Sequence, residues 1–367
     1  MGKINRAWHE SHRMPKNPTL VQRMDWHIEH IKNCNCREMP DSIKKAIADK
    51  KNKMKIIFSI FIAFILCVNI HAQKQKVIFD CDFGDDIDDA FALGMLLCNQ
   101  DRLDILGITT CYGRTEDRAR TVLKMLYQTG QDKIPVFIGR NTSTSNERAN
   151  WYADQFYWAK GFDKLKPQAQ PAADFIIQSL NKYPGEVIVI TVGPVMNMAD
   201  VIAKDAGALK KAKKVYSMFG SFYIGYNASP TINAEWNVKA DPVAAKKFVD
   251  SGADIVYAGL DVTTMIKLNK ANRDLLLQRQ SPLTNALMGL YTLWNAETPT
   301  LFDPAAIGMI LYPDLFKTKK VAIHVDDIGN TILEEGKNPN AEIGVYVNAN
   351  DFLNRLMKTY LQQNLER

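Results

Sequence analysis

Short apolar runs alternate with longer helical patterns over residues 77–257, and this alternation restricts the chain to few folds. The runs of strand length are residues 77–79, 105–109, 135–138, 187–191, 215–218 and 255–257. The helical patterns between them include residues 90–99, 117–128, 172–182 and 242–251. Continuously apolar strands separated by helices are typical of a parallel sheet that is covered on both faces. The alternation therefore predicts a single α/β domain with a mainly parallel central sheet flanked by helices.

Three shorter runs near the C-terminus alternate apolar and polar residues, at 321–325, 331–333 and 345–347. Such alternation is typical of antiparallel strands with one solvated face. We therefore expect an antiparallel edge near the C-terminus. In a sheet of this kind, ligands bind beyond the carboxyl ends of the parallel strands, so polar residues that follow the strands are the candidates for a site.

Residues 54–72 have the composition of a secretory signal peptide. Met54 and Lys55 precede an apolar run over residues 56–68, and Ala72 offers the small residue that a signal peptidase requires. The run is shorter than the roughly 20 apolar residues that span a bilayer. We therefore predict cleavage after Ala72, an exported chain (periplasmic or secreted) that comprises residues 73–367, and no stable membrane span after cleavage.

Residues 1–53 differ from the rest of the chain: they are basic and contain Cys34, Cys36 and four of the six histidines. One interpretation is a start-site artefact or disordered extension, with translation starting at Met54, because a signal peptide normally begins a chain. A second is a small metal-binding extension that uses the four histidines His9, His12, His27 and His30. A third is a signal anchor that keeps residues 1–53 in the cytoplasm.

The charge of the chain is concentrated in its first part. Residues 1–72 hold 13 Lys/Arg and 6 Asp/Glu, which leaves 33 and 34 of the chain's 46 and 40 for residues 73–367. Residues 73–367 are therefore nearly neutral and lack the excess of basic residues that typically attracts a nucleic acid. We therefore expect a small-molecule partner and no nucleic acid.

Six carboxylates lie within ten residues, directly after the first predicted strand: Asp80, Asp82, Asp85, Asp86, Asp88 and Asp89. Capping of the following helix explains at most Asp88 and Asp89. Packed ionised carboxylates repel each other, whereas an oxygen-rich cluster of this charge is typical of a Ca²⁺ or Mg²⁺ site. Gly84 provides the conformational freedom for a sharp turn around an ion. The loop therefore predicts a metal site.

Two hydrolase families have an Asp-x-Asp at a strand end, and the downstream segments distinguish them. Asp80-Cys-Asp-Phe-Gly and then Asp88-Asp-Ala is similar to the Asp-Thr-Asp-Pro-Gly-x-Asp-Asp-Ala of inosine–uridine preferring nucleoside hydrolases, with two additional residues. The other family, the haloacid dehalogenase-like phosphatases, uses the first Asp as a nucleophile. Residues 191–197, 227–242 and 298–307 resemble the nucleoside hydrolases' Gly-Pro turn, Ala-Glu-Phe-Asn segment and His-Asp-Pro helix start. By these four segments the chain is identified as a member of the nucleoside hydrolases, with their Rossmann-like fold.

The resemblance implies a Ca²⁺ site beside a ribose-binding site. The implied metal ligands are Asp82, Asp89, Asp303 and the Val192 carbonyl. The implied ribose-binding residues are Asp88, Asn227, Glu235 and Asn237, with Asn233 competing for the place of Asn227 because the spacing to Glu235 is two residues longer than usual. Asp80 and Asp86 are expected to contact these residues without touching the metal or the ribose themselves. Asp82 would take a proton from a metal-bound water that attacks C1′ of a ribonucleoside or related riboside, giving ribose and free base.

The leaving-group side departs from the family pattern. Phe302 stands where many members have a histidine, and His324, the one histidine after residue 73, lies beyond the matched segments. Arg114 stands where an Asn is usual. We therefore predict a leaving-group pocket without a histidine, formed by Phe302, Trp158, Arg114 and Tyr291, with Trp151, Tyr223 and Trp294 as further stacking candidates.

Two other function classes share parts of this pattern. A non-catalytic calcium-dependent sugar-binding protein would have the same site without turnover. A phosphatase would use Asp80 as its nucleophile and would leave Glu235 and Asp303 without a role. The resemblance also implies a homo-oligomer, since family members are commonly dimers or tetramers.

Overall fold

The computed structural model describes residues 4–34, 36–68 and 74–367, with the backbone alone for residues 56–68. The chain divides into two compact units, and the boundary lies between residues 73 and 74. The predicted cleavage after Ala72 lies outside the described residues. Within the described residues, no helix has both the length and the apolarity that crossing a membrane requires.

The first unit is helical. Its helices are α1 (Arg6–Ser11), α2 (Leu20–Asn33) and α3 (Asp41–Val68). Capping explains where two of them begin: Asn5 Oδ1 accepts the N–H of Trp8 at 3.1 Å, and Thr19 forms a capping box with Gln22. Helix α3 continues through Met54, where the predicted signal peptide starts.

The second unit contains a large, mainly parallel sheet. Its strands are β1 (Gln75–Cys81), β2 (Leu103–Thr110), β3 (Val136–Ile138), β4 (Val187–Thr191), β5 (Lys214–Met218), β6 (Ile255–Ala258), β7 (Phe316–Val321), β8 (Ile323–Val325), β9 (Thr331–Leu333) and β10 (Ala341–Val347). Eight of these form one sheet in the order β3-β2-β1-β4-β5-β6-β10-β7. All neighbours in it pair in parallel except β10 and β7. The predicted α/β class is confirmed.

The helices of this unit lie on both faces of the sheet, because alternate residues of the inner strands are buried in two separate cores. In β4, Ile188 and Ile190 belong to one core, while Val187 and Val189 belong to the other. The helices are α4 (Asp88–Cys98), α5 (Thr115–Gln128), α6 (Glu147–Asn150), α7 (Gln155–Trp158), α8 (Ala172–Lys182), α9 (Met196–Lys204), α10 (Trp236–Lys239), α11 (Pro242–Val249), α12 (Leu260–Thr263), α13 (Lys270–Arg279), α14 (Pro282–Trp294), α15 (Pro304–Leu311) and α16 (Ala349–Gln362).

The C-terminal edge is antiparallel, as expected, but its members differ from the predicted runs. Strands β8 and β9 form a separate antiparallel pair, and β10 lies between β6 and β7 in the main sheet. The edge strand is β7, in which Lys317, Lys319 and Lys320 are exposed. Exposed lysines are a common feature of edge strands, because their charge prevents further pairing. Because of these lysines, β7 has no apolar run by which the sequence could have indicated it.

The order of strands places a crevice beside β1. The chain proceeds from β1 to β2 and β3 on one side, and returns to β4 on the other. Connections on either side of such a switch point diverge and leave room for a ligand at the carboxyl ends. Asp82 follows β1 there, and Val192 follows β4, with the Val192 N–H bound to the Asp80 carbonyl at 2.8 Å.

Candidate active site

Three buried carboxylates converge in the crevice from distant parts of the chain. Asp88 and Asp89 lie in the first turn of α4, and Asp303 precedes the first residue of α15. Carboxylate oxygens of the three residues lie within 4.8 Å of one another. The Asp303 N–H donates to Asp88 Oδ2 at 3.2 Å, which joins residues 215 positions apart. The structure therefore forms a compact, entirely acidic cluster.

Helix capping does not account for these carboxylates, and hydrogen bonds satisfy them only in part. Neither the Asp303 side chain nor that of the residue before α4 makes a capping hydrogen bond. Asp89 Oδ1 is buried without a hydrogen-bond partner among the described residues, and an orphaned buried carboxylate oxygen is costly. Burial, together with the neighbouring carboxylates, raises the pKa of Asp88, Asp89 and Asp303 well above the usual range. An all-oxygen, multiply charged site of this kind fits a hard divalent cation.

Asp82 lies on the wall of the same cavity, outside this group of three. Gly193 allows its position, because a Cβ on Gly193 would lie 2.7 Å from Asp82 Oδ1 and 2.8 Å from the Asp82 nitrogen. Burial raises the pKa of Asp82 to about 7, against the opposing charge of Arg118. An ionised carboxylate on the cavity wall is able to accept a proton from a water molecule.

Arg118 in α5 holds the acidic loop in place, and nothing in the sequence singled it out. Its side chain is buried; Nε donates to the Tyr112 carbonyl at 2.7 Å, Nη1 donates to the Asp82 carbonyl, and Nη2 lies 3.2 Å from Asp85 Oδ1. A charged residue on an amphipathic helix is normally exposed, so only the fold reveals this one.

Asp80 lies behind the cavity and its carboxylate is fully engaged. Oδ1 accepts Thr109 Oγ1–H at 2.5 Å and an Asn197 Nδ2–H at 2.6 Å, and Oδ2 accepts Thr191 Oγ1–H at 3.1 Å. Asp86, by contrast, lines the cavity itself, although it was expected behind the ligands. Burial raises the pKa of Asp80 and of Asp86 to about 6.

Glu235 and Asn237 line the cavity and also connect its walls. Glu235 Oε1 and Oε2 accept the N–H groups of Asn237 and Gly220, each at 3.0 Å. Asn237 Nδ2 donates to the carbonyls of Val192 at 2.8 Å and Met218 at 3.0 Å. The Val192 carbonyl, implied as a metal ligand, is thus oriented by Asn237. Burial raises the pKa of Glu235 to about 7.

The cavity has a volume of about 290 Å³. Its lining residues are Asp82, Asp85, Asp86, Asp88, Asp89, Arg148, Val192, Met218, Tyr226, Glu235, Trp236, Asn237, Trp294, Phe302 and Asp303. Asn227 is not among them: it is exposed and adopts a left-handed conformation with φ of 57°. The competing Asn233 is exposed as well, and its Oδ1 accepts the Tyr226 N–H at 2.9 Å. The longer segment before Glu235 therefore forms a turn outside the cavity.

Aromatic residues and one arginine form part of the cavity lining, which is called the aromatic wall below. Phe302 is packed edge to face against Tyr226, with ring centroids 6.1 Å apart. Trp236 lies under the Arg148 guanidinium, 5.5 Å from its carbon. Trp294 completes this wall. Tyr226, Trp236 and Arg148 were not predicted for the pocket, although Trp236 lies inside the matched Glu-Trp-Asn segment, which could have indicated it.

Trp158, Arg114 and Tyr291 do not line the cavity, because each has partners elsewhere. Arg114 Nε bonds Asp117 at 2.8 Å, and the Lys124 ammonium lies 4.4 Å from the Trp158 ring centre. The Tyr291 hydroxyl donates to the Glu297 carbonyl at 2.8 Å. The further candidates Trp151 and Tyr223 are exposed and also lie outside. His324 Nδ1 lies 3.3 Å from a carboxylate oxygen of Glu334. The residues that line the cavity, among those the structure describes, include no histidine.

Comparison with known proteins agrees with this architecture. A family model for inosine-uridine preferring nucleoside hydrolases matches residues 77–354. Uridine nucleosidase 1 of Arabidopsis thaliana is 29% identical over 292 residues, which cover 73% of this chain and 84% of that protein. A solved plant nucleoside hydrolase, PpNRh1, is 26% identical with a TM-score of 0.69, over 79% of this chain and 99% of that one.

A purine-preferring ribonucleoside hydrolase from Gardnerella vaginalis shares the fold, with 24% identity and a TM-score of 0.68 over 78% of this chain and 98% of that one. The matched residues include the acidic loop, Glu235 and Asp303, and they lie entirely within the second unit. The predicted family and enzyme class are confirmed. The chain belongs to the inosine-uridine preferring nucleoside hydrolase family, whose members act on N-glycosyl bonds.

Proposed function

We propose that the chain hydrolyses the N-glycosidic bond of a ribonucleoside, or of a related riboside, with Ca²⁺ as cofactor and ribose and free base as products. The observation that carries this proposal is the convergence of Asp303 with Asp88 and Asp89 in one buried cluster. In this cluster, Asp88 and Asp303 meet although they are 215 positions apart, and Asp89 Oδ1 has no hydrogen-bond partner among the described residues. A bound cation would explain both features.

Asp88, Asp89 and Asp303 would hold the cation, with Asp82 and the Val192 carbonyl as further oxygen donors from the cavity wall. Ca²⁺ is favoured over Mg²⁺ because it accepts six to eight oxygen ligands in irregular arrangements, whereas Mg²⁺ retains several waters. When bound, the cation supplies a Lewis acid that makes a water molecule more acidic.

Asp82 takes the proton from the attacking water in this proposal. It lies at the carboxyl end of β1, on the cavity wall, with its backbone carbonyl held by Arg118. The water oxygen forms a bond to C1′, the bond between C1′ and the base nitrogen breaks, and its electron pair leaves with the base. A positioned general base typically contributes about 10²–10⁴-fold to a rate.

The rest of the cavity stabilises the sugar as positive charge develops on it. Breaking the bond to C1′ gives the ribose oxocarbenium character. Asp86 and Glu235 have carboxyl groups in the lining of the cavity, and an ionised carboxylate there would lower the energy of such a transition state. Glu235 and Asn237 are the proposed contacts for ribose hydroxyls, since both line the cavity beside the cluster.

The aromatic wall is the proposed contact surface for the leaving group. Phe302, Tyr226, Trp236 and Trp294 present flat apolar surface next to the exposed guanidinium of Arg148. Aromatic rings stack on purines and pyrimidines alike, and of the three relatives compared above one is named for uridine and another for purines. We therefore propose a ribonucleoside substrate class with the base held by stacking and with no histidine acting on it.

The test uses the full chain, first freed of metal with a chelator and then supplied with Ca²⁺ or Mg²⁺. Free ribose is measured after incubation with uridine, cytidine, inosine, adenosine and guanosine, and inorganic phosphate after incubation with ribose 5-phosphate. Calcium-dependent ribose release supports the proposal. Saturable nucleoside binding without release would favour the non-catalytic sugar-binding alternative, and phosphate release would favour a phosphatase. The engaged carboxylate of Asp80 argues against the phosphatase, since it has three donors and lies outside the cavity lining.

We also propose that the nucleoside hydrolase body is exported, on the support of the signal-peptide pattern in residues 54–72. Expression in a Gram-negative host, followed by N-terminal sequencing of the periplasmic fraction, should give a chain that starts at Gln73. An intact chain that starts at Met1 and remains in the cytoplasm would contradict export.

A further inference from the structure

A second group of metal-ligating side chains lies in the helical first unit, separate from the acidic cavity. It consists of His9, His30, Cys34 and Cys36, and one ligand atom from each lies within 4.8 Å of the others. Cys36 Sγ is 3.5 Å from His9 Nε2 and 3.4 Å from His30 Nε2. The structure therefore brings the sequence's Cys-x-Cys together with two of its four N-terminal histidines.

The distances between these atoms match a tetrahedral zinc site. With Zn–S near 2.3 Å and Zn–N near 2.0 Å, a sulfur and a nitrogen on one tetrahedron are separated by about 3.5 Å. The two sulfur–nitrogen distances at Cys36 lie close to that value. Two thiolates and two imidazoles also form a ligand set that binds zinc in preference to hard cations such as Ca²⁺ and Mg²⁺.

The surrounding residues orient each ligand. His9 belongs to α1 and His30 to the last turn of α2, where the Cys34 N–H caps the helix by donating to the His30 carbonyl at 2.6 Å. The Trp26 ring stacks on the His30 ring with centroids 4.8 Å apart. The Asn5 N–H donates to Cys34 Sγ at 3.3 Å. Such outer hydrogen bonds to ligating sulfur are typical of metal sites.

The first unit has few buried side chains among the residues that are described with side chains. Its buried side chains, among the residues described with side chains, are Trp8, Met24, His27, His30, Cys34 and Ile43. Small domains bury a smaller fraction of their surface on folding than large ones, and they often gain stability from a structural metal. The ligands connect α1, the end of α2 and the loop before α3, which is where a cross-link would stabilise the unit most.

We propose that His9, His30, Cys34 and Cys36 bind one Zn²⁺ that stabilises the first unit of the full chain. Four protein ligands complete the tetrahedron, so the site is structural and offers no position for a substrate. His12 and His27 are outside the group: His12 is exposed and stacks on Trp8, with ring centroids 4.9 Å apart, and His27 packs edge to face against Trp26.

The test is the metal content of the full chain, produced in the cytoplasm with Met1 as its first residue and reconstituted with Zn²⁺ under reducing conditions. We expect about one tightly held zinc per chain after removal of weakly bound metal, and a loss of about tenfold or more in occupancy for Cys36→Ser. The matched thiol control, Cys98→Ser, should keep the zinc. Asp303→Asn should keep it too, because that substitution affects the acidic cavity of the second unit. With Co²⁺ in place of zinc, thiolate-to-cobalt charge-transfer absorption should appear in the parent and in Cys98→Ser but be lost in Cys36→Ser.

A second measurement remains informative if Cys36→Ser fails to fold. Limited trypsin digestion of the unsubstituted chain should cut at Arg13, Lys16 and Arg23 faster after zinc removal, while the second unit stays resistant. A chain that binds no zinc, or that binds it equally in Cys36→Ser, would overturn the proposal. Equal digestion with and without zinc would also overturn it, because the metal would then have no structural effect.

Discussion

The backbone N–H of Asp303 donates to Asp88 Oδ2 at 3.2 Å, so the start of α15 is joined to the start of α4. This contact holds two buried carboxylates side by side, an arrangement that repulsion opposes unless a cation lies between them. Metal affinity should therefore depend on residues that are far apart in the chain.

Replacement of Asp303 by Asn should weaken calcium binding by about tenfold or more, equivalent to about 1.4 kcal/mol. One of three clustered carboxylates is lost while the side-chain volume is kept. Isothermal titration with Ca²⁺ measures the change. Asp200→Asn is the matched control, since that carboxylate pairs with Arg140 at 3.0 Å on the surface, and it should bind calcium as the parent does. Equal affinities in the two variants would count against the acidic cluster as the metal site.

Replacement of Asp82 by Asn should lower kcat by about 10²-fold or more, because the amide cannot take the water proton. Asp82 lies outside the group of three, so calcium affinity should change less than in Asp303→Asn. Ribose release at saturating nucleoside and calorimetry with Ca²⁺ give the two quantities. The exposed Asp104 supplies a control carboxylate, and Asp104→Asn should turn over normally. Near-parental turnover of Asp82→Asn would rule out this residue as the base.

Replacement of Phe302 by Ala should raise KM or alter the preference among bases, while calcium affinity stays unchanged. Its ring packs against Tyr226 in the aromatic wall, whereas the acidic cluster consists of Asp88, Asp89 and Asp303. Tyr291→Phe is the matched control, because the sequence indicated Tyr291 for the pocket but its side chain does not line the cavity. Steady-state kinetics with uridine and inosine should show an effect for Phe302→Ala only; the reverse result would mean that the aromatic wall is misassigned.

The stability of the metal-free protein should fall as the pH rises through the neutral range. Burial raises the pKa of Glu235 from 4.5 to about 7, so the folded state keeps a proton that the unfolded chain releases. This group therefore contributes stability that is fully present below about pH 4.5 and is lost as the pH passes about 7, with a difference of roughly 3 kcal/mol. Urea unfolding across this range should show a smaller decrease for Glu235→Gln than for the parent chain. Identical pH profiles would show that Glu235 does not titrate with folding.

The sequence by itself determined the alternation of strands and helices over residues 77–257, the acidic loop and the family, because hydrophobic periodicity and motif order are local properties of the chain. It also indicated Glu235, Asn237 and Asp303, since each lies in a segment whose residue order is distinctive. Only the tertiary structure decided which of these side chains meet. Asp88 joins Asp89 and Asp303 in the cluster while Asp82 lies on the adjacent wall, because helix α4 turns its first two carboxylates toward α15.

Tertiary packing also decided which residues lie outside the cavity. Arg114, Trp158 and Tyr291 each find a partner within six residues or on a neighbouring helix, and a residue's identity does not reveal the direction of its side chain. Conversely, Arg118 and Tyr226 contribute through contacts with residues remote in sequence, which no local pattern encodes. Composition and periodicity specify the elements, whereas the orientation of a side chain depends on the packing of the whole fold.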